Sequence, residues 1–495
     1  MGGDTLAESK MIAGDAYVTK NGTYICPNEE VDIDSLTSFI LDNEYRSTGY
    51  RKNYDMYTGQ HDILRKPYDR ESARPDNRLI SNWANYVVDT YVGYFMGKPP
   101  KISLEDDTNN DKLQDWLNNN SFQDKLTEVA KQVAVYGRSY MLTYQTESAN
   151  TEVAVIDPSS GFMIYDTSIN QKPIAFVRYG YFNNVLSGEM YTANKIQSFT
   201  EKQFTDEKAS LFGEVPAVEF DSNSERLSIV GKIRTLVDEY DKAFSQKANQ
   251  VAYFDEAYLK IIGIPLPKDD NGNPIFNLNE DRILYSPDPM TANGDVDFIS
   301  KPDGDTMQEN MLNRLKDDIF QTAMVTNLND EAFSGNASGV AIKYKLLSMQ
   351  NQAAVEERKF RISLRNLLGT IIGMGKVIGT IDKDQVRKEL RFKFNRNIPI
   401  DLANQAQTAR ELKGITSDQT MLGTLDIVDD AKKEMDRIAD EQEEQVKRAV
   451  ENQASATDIL KGGNNGEDTQ QPQERGLLEG SGTSGTGVDK SKPSQ

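Results

Sequence analysis

The chain is most informative at residues 331–349, which read Glu331-Ala-Phe-Ser-Gly-Asn-Ala-Ser-Gly-Val-Ala-Ile-Lys-Tyr-Lys-Leu-Leu-Ser-Met349. The first half is small and polar, and its Gly335 and Gly339 allow close approach of the backbone to a ligand. The second half repeats apolar residues at the three- and four-residue spacing of one helix face. Ser338 is a suitable N-cap for that helix. The pattern predicts a loop at a helix N-terminus, which either cradles an anion or only caps the helix.

Length and charge limit the possible functions. The 495 residues exceed one typical core, so several domains are expected. Lys and Arg number 56 against 77 Asp and Glu, a formal net charge of −21. Such a surface repels phosphate, and tight sequence-independent wrapping of DNA is therefore not expected. Passage of DNA through a channel lined by a chosen subset of residues stays open.

Cys26 and His61 are the only cysteine and the only histidine. One chain can therefore form neither an internal disulfide nor a thiolate or imidazole zinc site, and a Cys–His nucleophilic pair is not expected. No apolar run reaches the roughly 18 residues of a membrane span, and no signal peptide is present. These features predict a soluble protein made in the cytoplasm, without membrane contact.

Carboxylate chemistry is the remaining enzymatic alternative. Asp281, Asp288, Asp295 and Asp297 could imitate a two-metal nuclease site. Their surroundings are rich in proline and offer no strand–helix frame, and no histidine base accompanies them. We therefore expect no enzyme, no cofactor and no metal site.

Hydrophobic periodicity predicts an α+β protein with a pair of long helices around a small insert. Helical segments come first, for example Trp83–Met96, and short strands such as Phe162–Tyr165 follow. The predicted segments are, in order, a flexible arm (1–33), an α+β domain (34–223), a long helix (224–258), a Pro- and Gly-rich module (259–305), a second long helix (306–327), a loop (328–338), a long helix with a returning strand (339–399), a helical region (400–460) and a disordered tail (461–495).

Four separated groups of residues resemble the portal proteins of long-tailed phages that infect Gram-positive hosts. The groups are Tyr57-Thr-Gly-Gln-His-Asp-Ile63 with Arg74-Pro-Asp-Asn-Arg78 and Tyr94-Phe-Met-Gly-Lys-Pro99; Val215-Pro-Ala-Val-Glu-Phe220; Ser334-Gly-Asn-Ala-Ser-Gly-Val-Ala-Ile-Lys343; and Phe394-Asn-Arg-Asn-Ile-Pro399 with Gly414-Ile-Thr-Ser-Asp-Gln-Thr420 and the helix that holds Glu434. None is a catalytic signature. Together they span most of the chain in the order of that family.

The resemblance implies a portal fold that assembles as a ring, usually of twelve subunits, at one capsid vertex of the virion. In that fold, 34–223 would be the wing, 224–258 and 306–327 the stem, 259–305 the clip, 328–338 the tunnel loop and 400–460 the crown. Double-stranded DNA would be in transit, packaged by the terminase large subunit, retained, and ejected into the tail. A head-completion adaptor and the major capsid and scaffolding proteins would be further partners. The alternative within the virion is another ring or head-completion protein.

The resemblance also implies which residues would face DNA. Those expected at the tunnel loop are Asn327, Asn329, Asp330, Glu331, Ser334, Gly335, Asn336, Ser338 and Lys343. Strong fixed cations would trap the duplex through counterion release, so a lining of small polar side chains suits sliding.

The second stem helix carries a charged set with two possible roles. Its members are Glu309, Arg314, Lys316 and Asp317. They form either a solvated face or ion pairs with a neighbouring subunit that fix the register of the ring. Exposed pairs of this kind contribute only about 0–1 kcal/mol each.

Overall fold

The computed structural model describes residues 10–13, 15–28, 30–67, 75–254, 258–269, 275, 283–286, 295–299, 305–329, 339–379, 382–398, 402–425, 427–428 and 431–461. The chain separates into two compact units, Met1–Ile398 and Pro399–Gln495. Helices and sheets are mixed in the first unit, which confirms the predicted α+β class.

Helices form most of the structure. Those of the first unit are α1 (Ile33–Tyr57), α2 (Trp83–Met96), α3 (Asp107–Asn119), α4 (Phe122–Tyr136), α5 (Ile229–Phe254), α6 (Asp305–Ala323), α7 (Gly339–Lys345), α8 (Leu347–Gly373) and α9 (Lys383–Glu389). Those of the second unit are α10 (Leu402–Leu412), α11 (Asp418–Gly423) and α12 (Ala431–Lys461). Several begin at side-chain caps: Asp32 accepts from the Ser35 amide at 2.8 Å at the start of α1.

All described strands belong to the first unit. They are β1 (Lys10–Ala13), β2 (Ala16–Val18), β3 (Tyr24–Ile25), β4 (Lys101–Ser103), β5 (Arg138–Gln145), β6 (Thr151–Ile156), β7 (Gly161–Tyr165), β8 (Pro173–Phe182), β9 (Val185–Tyr191), β10 (Lys195–Thr200), β11 (Phe204–Ala209), β12 (Ala217–Asp221), β13 (Tyr258–Ile262), β14 (Ile283–Ser286), β15 (Asp295–Ile299) and β16 (Arg391–Lys393). The sheet orders are β1-β2-β3-β7-β8-β9-β10-β11, β12-β5-β6, β14-β13-β15 and β16-β4. Pairing is antiparallel except for β3 with β7 and β13 with β14.

The N-terminal region corrects the predicted flexible arm. Strands β1 to β3 extend the large sheet, and Tyr24 pairs in parallel with Ile164 of β7. Tyr24 and Cys26 are buried, and the Tyr24 ring packs edge-on against Phe39 of α1 at 5.2 Å between centroids. The arm prediction is therefore wrong for residues 10–13 and 15–28, because three strands of only two to four residues inside a polar stretch give too little periodic signal. Residues 1–9 lie outside the described residues.

The main core of the first unit lies between helices. Buried side chains of α2, α4, α5, α6 and α8 form one continuous cluster. Phe95 of α2 packs against Phe360 of α8 at 5.3 Å and against Phe394 at 5.9 Å between ring centroids. Burial of each such ring contributes roughly 1.5–3 kcal/mol. The core thus fixes α8 and the chain around β16 against the helices that precede the sheets.

The two long helices α5 and α6 pack side by side and are shorter than predicted. The first begins at Ile229 instead of residue 224, because Arg226 has a φ of 56° and interrupts helical geometry. The second ends at Ala323 instead of residue 327, because Met324 has a φ of 57°. The module between them contains the β14-β13-β15 sheet in its described part. The described part of this module leaves out residues 270–274, 276–282, 287–294 and 300–304.

The long helix predicted within the segment 339–399 is irregular near its start. It divides into α7 and α8 at Leu346, which is buried. The Thr326 hydroxyl donates to the Lys345 carbonyl at 3.0 Å and so competes with that carbonyl's helical hydrogen bond. The Leu346 amide still donates to the Ile342 carbonyl at 3.1 Å and the Gln350 amide to the Leu346 carbonyl at 2.8 Å. A contact between distant residues therefore perturbs the helix at this point without ending it.

The second unit consists of helices in its described part. Ser417 caps α11 by accepting from the Thr420 amide at 3.3 Å, and Leu422 is buried. Helix α12 is 31 residues long and carries ion pairs at four-residue spacing, such as Glu443 with Lys447 at 2.8 Å. The predicted disordered tail lies outside the described residues from residue 462 onward.

Candidate functional site

The candidate site is the connection between α6 and α8, because it contains the predicted tunnel loop. Val325 on one side and Leu346 on the other are both buried in the main core. The Thr326 hydroxyl bridges the two sides through the Lys345 carbonyl. We call these four residues the loop anchor. The anchor holds the two ends of the connection together on the core.

Most predicted DNA-facing residues fall between the two ends. Asp330, Glu331, Ser334, Gly335, Asn336 and Ser338 lie outside the described residues. Asn327 and Asn329 are described: the Asn327 side-chain oxygen accepts from the Asn329 amide at 3.1 Å, a local turn that starts the connection. Lys343 is exposed on α7, one turn or less from the anchor. The structure thus brings Lys343 and the two asparagines to opposite ends of the same connection.

The charged set on α6 has partners within the chain. Glu309 accepts from the Lys247 ammonium of α5 at 2.6 Å. Arg314 pairs with Asp318 one turn along α6 at 2.9 Å. Lys316 is half-buried and Asp317 is exposed. The Glu309 pair joins the two long helices of one chain, and ion pairing with a neighbouring subunit stays a prediction for these four residues.

Exposed apolar side chains mark two helices and were not singled out by the sequence patterns. Met307 and Met311 lie one turn apart on α6 and are 74% and 46% exposed. On α12 the exposed apolar residues are Met435, Ile438, Val446 and Val450. Apolar residues repeated at helical spacing on a solvent face indicate a contact surface for another chain. Their spacing in the sequence is the signal that could have identified them.

His61 is a structural residue of the core. It is buried, its Nδ1 is hydrogen-bonded to the Asp241 carboxylate of α5, and its Nε2 lies 3.0 Å from the Met56 carbonyl. Burial works against the charged ring, but the hydrogen bond and charge of Asp241 outweigh it and raise the pKa of His61. Since both ring nitrogens face acceptors, the imidazolium form satisfies both.

An extended segment, residues 77–81, lies along α5 beside this pair, and we call it the strap. Its alternate amides, from Asn77, Leu79 and Ser81, donate to side-chain oxygens spaced four residues apart on α5. The acceptors are Asn249 at 2.6 Å, Ser245 at 3.0 Å and Asp241 at 3.0 Å. Two extended residues advance about 6.6 Å and four helical residues about 6 Å, so the two repeats match. The strap thus fixes the approach of the chain to α2.

The acidic residues of the alternative nuclease site do not form a cluster in the described part of the chain. Asp295 pairs with Lys260 on the neighbouring strand at 2.5 Å. Asp281 and Asp288 lie outside the described residues. Among those that are described, no group of three or more His, Cys, Asp and Glu could hold a metal. Within the same residues, no helix is long and apolar enough to cross a membrane.

Comparison with known proteins identifies the family. The family described as "Phage portal protein, SPP1 Gp6-like" matches residues 38–448. The chain therefore belongs to this family of phage portal proteins. It is 21% identical to the portal protein of Bacillus phage SPP1 over 444 residues, which cover 81% of this chain and 85% of that one. It is 22% identical to the portal protein of Clostridium phage phiCD119 over 440 residues, covering 81% and 94%.

One solved structure shows a weaker likeness. It is titled "Neck of empty GTA particle computed with C6 symmetry" and matches with a TM-score of 0.43 at 10% identity, over 72% of this chain and 94% of that chain. A likeness at that level bears on neither the fold nor the assembly. Family membership itself confirms the resemblance predicted from the four groups of residues, and it implies a structural, capsid-associated protein that forms a homo-oligomeric ring.

Proposed function

We propose that twelve copies of this chain form a ring at one capsid vertex and that double-stranded DNA passes through its channel. The terminase large subunit packages the DNA, the channel retains it, and the tail receives it at infection. Family membership over residues 38–448 is the observation that carries the proposal. In this ring, residues 34–223 form the wing, 224–258 and 306–327 the stem, 259–305 the clip and 400–460 the crown.

The loop anchor supports a tunnel loop at residues 328–338. Val325 and Leu346 fix both ends of the loop in the core, and Thr326 joins them through the Lys345 carbonyl. A loop held this way can contact DNA while the frame behind it stays in place. Its small polar residues, including Asn336 and Ser338, offer no strong cation to trap a phosphate. Lys343 at the base of the tunnel loop would add one positive charge beside the path of the DNA.

Exposed side chains on α6 and α12 support contacts between subunits. Met307 and Met311 leave apolar area in water that a neighbouring stem would bury. Arg314, Lys316 and Asp317 lie on the same helix and would supply polar contacts around that apolar pair. Glu309 already pairs with Lys247 of its own chain, so a cation of a neighbouring subunit would share the Glu309 carboxylate with Lys247. The exposed apolar residues of α12 would be buried in the same way by adjacent crowns.

The proposed role is mechanical and requires no reaction by this chain. The sequence has no Gly-x-x-x-x-Gly-Lys-Ser/Thr loop, so ATP hydrolysis is assigned to the terminase motor. The clip would dock the motor first and the head-completion adaptor later. Scaffolding and major capsid proteins would place the ring in the shell, without a membrane contact.

Bulky substitutions in the tunnel loop test this role. We expect Asn336→Trp and Ser338→Trp to leave ring assembly intact and to stop packaging, because the large side chains narrow the channel where the duplex passes. In vitro packaging, measured as DNase-protected DNA, checks the effect. Asn336→Ala and Ser338→Ala are the matched controls and should package like the unchanged protein. Full packaging by the tryptophan variants would contradict the proposed loop contact.

A further inference from the structure

A cavity of about 410 Å³ in the first unit has six cationic residues among the fifteen that line it. It lies where α1, the turn between β2 and β3, and the start of α5 meet. Its cationic residues are Lys20, Arg46, Arg138, Arg226, Lys232 and Arg234, and Glu225 is the acidic residue of the lining. We call it the basic pocket. Asp42 and Glu219 pair with Arg46, Arg138 and Arg226, and the six cations outnumber these two carboxylates and Glu225.

Arg138 is the buried centre of this pocket. Its side chain is 8% exposed, and its two terminal nitrogens donate to the carbonyls of Gly22 at 2.9 Å and Asn21 at 2.8 Å. Its Nε has no hydrogen-bond partner in the described part of the chain. The Glu219 carboxylate lies 3.6 Å away, but it already accepts two hydrogen bonds from Arg226, at 2.7 and 3.0 Å. This Nε is buried and out of reach of the pocket, so Arg138 contributes its positive charge to the lining rather than that donor.

A second guanidinium converges on the same point. A methyl group at Gly22 would lie 3.0 Å from Nη2 of Arg138 and 3.0 Å from Nη1 of Arg46. Arg46 uses its Nε for the Asp42 carboxylate at 2.7 Å, and Asp42 also accepts from Lys10 at 3.1 Å. Asp42 is therefore shared by two cations, Arg46 and Lys10, and Glu219 is likewise shared by Arg138 and Arg226. Paired guanidinium groups offer several donors in fixed planes, the arrangement that suits a phosphate oxyanion.

The start of α5 adds further positive potential to the pocket. Ser228 caps the helix by accepting from the Gly231 amide at 2.7 Å, and both residues line the cavity. A helix N-terminus favours an anion through its aligned peptide dipoles. Arg234 donates to the neutral side chain of Asn53 at 2.9 Å, so this contact leaves its charge unbalanced. Lys232 follows on the same turn and is half-buried.

We propose that the basic pocket binds a phosphate group. The guanidinium groups of Arg46 and Arg138 would hold its oxygens, and Lys232 and Arg234 would balance its charge. Tyr50 and Tyr136 line the same cavity with ring centroids 5.8 Å apart, and aromatic rings beside cations are typical of sites for nucleotides and single strands. The phosphate group could belong to free phosphate or to the backbone of a nucleic-acid strand. The pocket is separate from the tunnel loop and does not depend on the channel function proposed above.

Phosphate titration of the full-length protein tests the site. The shift of the thermal unfolding midpoint is measured with inorganic phosphate against chloride at equal ionic strength. We expect a saturable rise, and we expect Lys232→Gln and Arg234→Gln each to weaken phosphate binding about tenfold, the effect of losing one charged contact. Lys242→Gln is the matched control, because Lys242 lies on the same helix, is exposed and pairs with Glu239 at 2.9 Å. Arg234→Lys keeps the charge and should retain most of the binding.

A short fluorescein-labelled oligothymidylate distinguishes the two sources. If the oligonucleotide binds, is displaced by phosphate and is weakened by the same two variants, the ligand is a nucleic-acid backbone. If phosphate binds and the oligonucleotide does not compete, the ligand is free phosphate or a nucleotide. No saturable phosphate effect, or equal affinity in the unchanged protein and both glutamine variants, would overturn the proposal. Loss of ring assembly in those variants would also overturn it, since acidic residues of a neighbouring copy would then be the partner.

Discussion

At the residue scale, Glu356 of α8 is a carboxyl group in a position that suits its neutral form. It is 2% exposed, one oxygen accepts from the Tyr91 hydroxyl at 2.8 Å, and the other has no hydrogen-bond partner in the described part of the chain. Burial raises the pKa of Glu356 to about 8, although the Tyr91 hydrogen bond and the charge of Lys232 act in the other direction. The folded protein therefore keeps a proton on Glu356 at neutral pH.

This proton makes stability depend on pH. Below pH 4.5 the carboxyl is protonated in both states, whereas between pH 4.5 and about 8 only the unfolded chain loses the proton. The free energy of unfolding thus falls as pH rises through that window. Glu356→Gln keeps an acceptor for Tyr91 and cannot ionise, so we expect it to stabilise the protein at pH 8 by roughly 2–4 kcal/mol and to have little effect near pH 4.5.

Unfolding midpoints at the two pH values measure this effect. Glu357→Gln is the matched control, because Glu357 is the next residue and forms ion pairs with Arg361 at 2.6 Å and Arg396 at 2.5 Å. Loss of those pairs should destabilise the protein at pH 8, opposite in sign to Glu356→Gln. An equal gain for Glu356→Gln at both pH values would show that Glu356 is ionised in the folded state.

At the element scale, the strap tests how α5 is fixed to the chain before α2. Ser245 both accepts from the Leu79 amide and donates to the Leu79 carbonyl at 3.1 Å. Ser245→Ala leaves both backbone groups without that partner, so we expect a loss of about 1–3 kcal/mol and faster trypsin cleavage after Arg78. Thr235→Ala, at an exposed position on the same helix, is the control. Unchanged stability together with unchanged cleavage would show that the strap does not hold α5.

Elements with strong local patterns could be predicted from the sequence, and those that depend on distant contacts could not. Helix α2 has the predicted bounds Trp83–Met96, because its buried face repeats at helical spacing and glycine and prolines follow it. Strands β10 and β11 were not predicted, since most of their residues are polar, those of β10 being partly buried and those of β11 mostly exposed. The irregularity of the helix at Leu346 lies beside the contact with Thr326, 20 residues earlier in the chain, so no local pattern could indicate it.

The same distinction applies to the candidate sites. The glycines and small residues that stand together before an apolar helix predict a loop, and the resemblance to portal proteins implies that it is the tunnel loop. It does not predict the loop anchor or the basic pocket, whose residues come together only through folding. Lys20 and Arg234, for example, line one cavity although they are far apart in the sequence.

At the scale of the whole molecule, the proposed function requires that the chains assemble into a ring. Each chain exposes Met307 and Met311 on α6 and a further apolar set on α12, which neighbouring chains would cover in the proposed ring. The ring also explains why a chain with a net charge of −21 can belong to a family whose members are named portal proteins, since DNA would pass along selected residues without wrapping the surface.

Native mass spectrometry of the purified protein, with negative-stain images of the same sample, tests this claim most directly. We predict a closed ring near twelve times the 55.6 kDa mass of one chain, with a central hole. A chain that stays monomeric at high concentration and cuts DNA when a divalent metal is added would contradict the portal assignment.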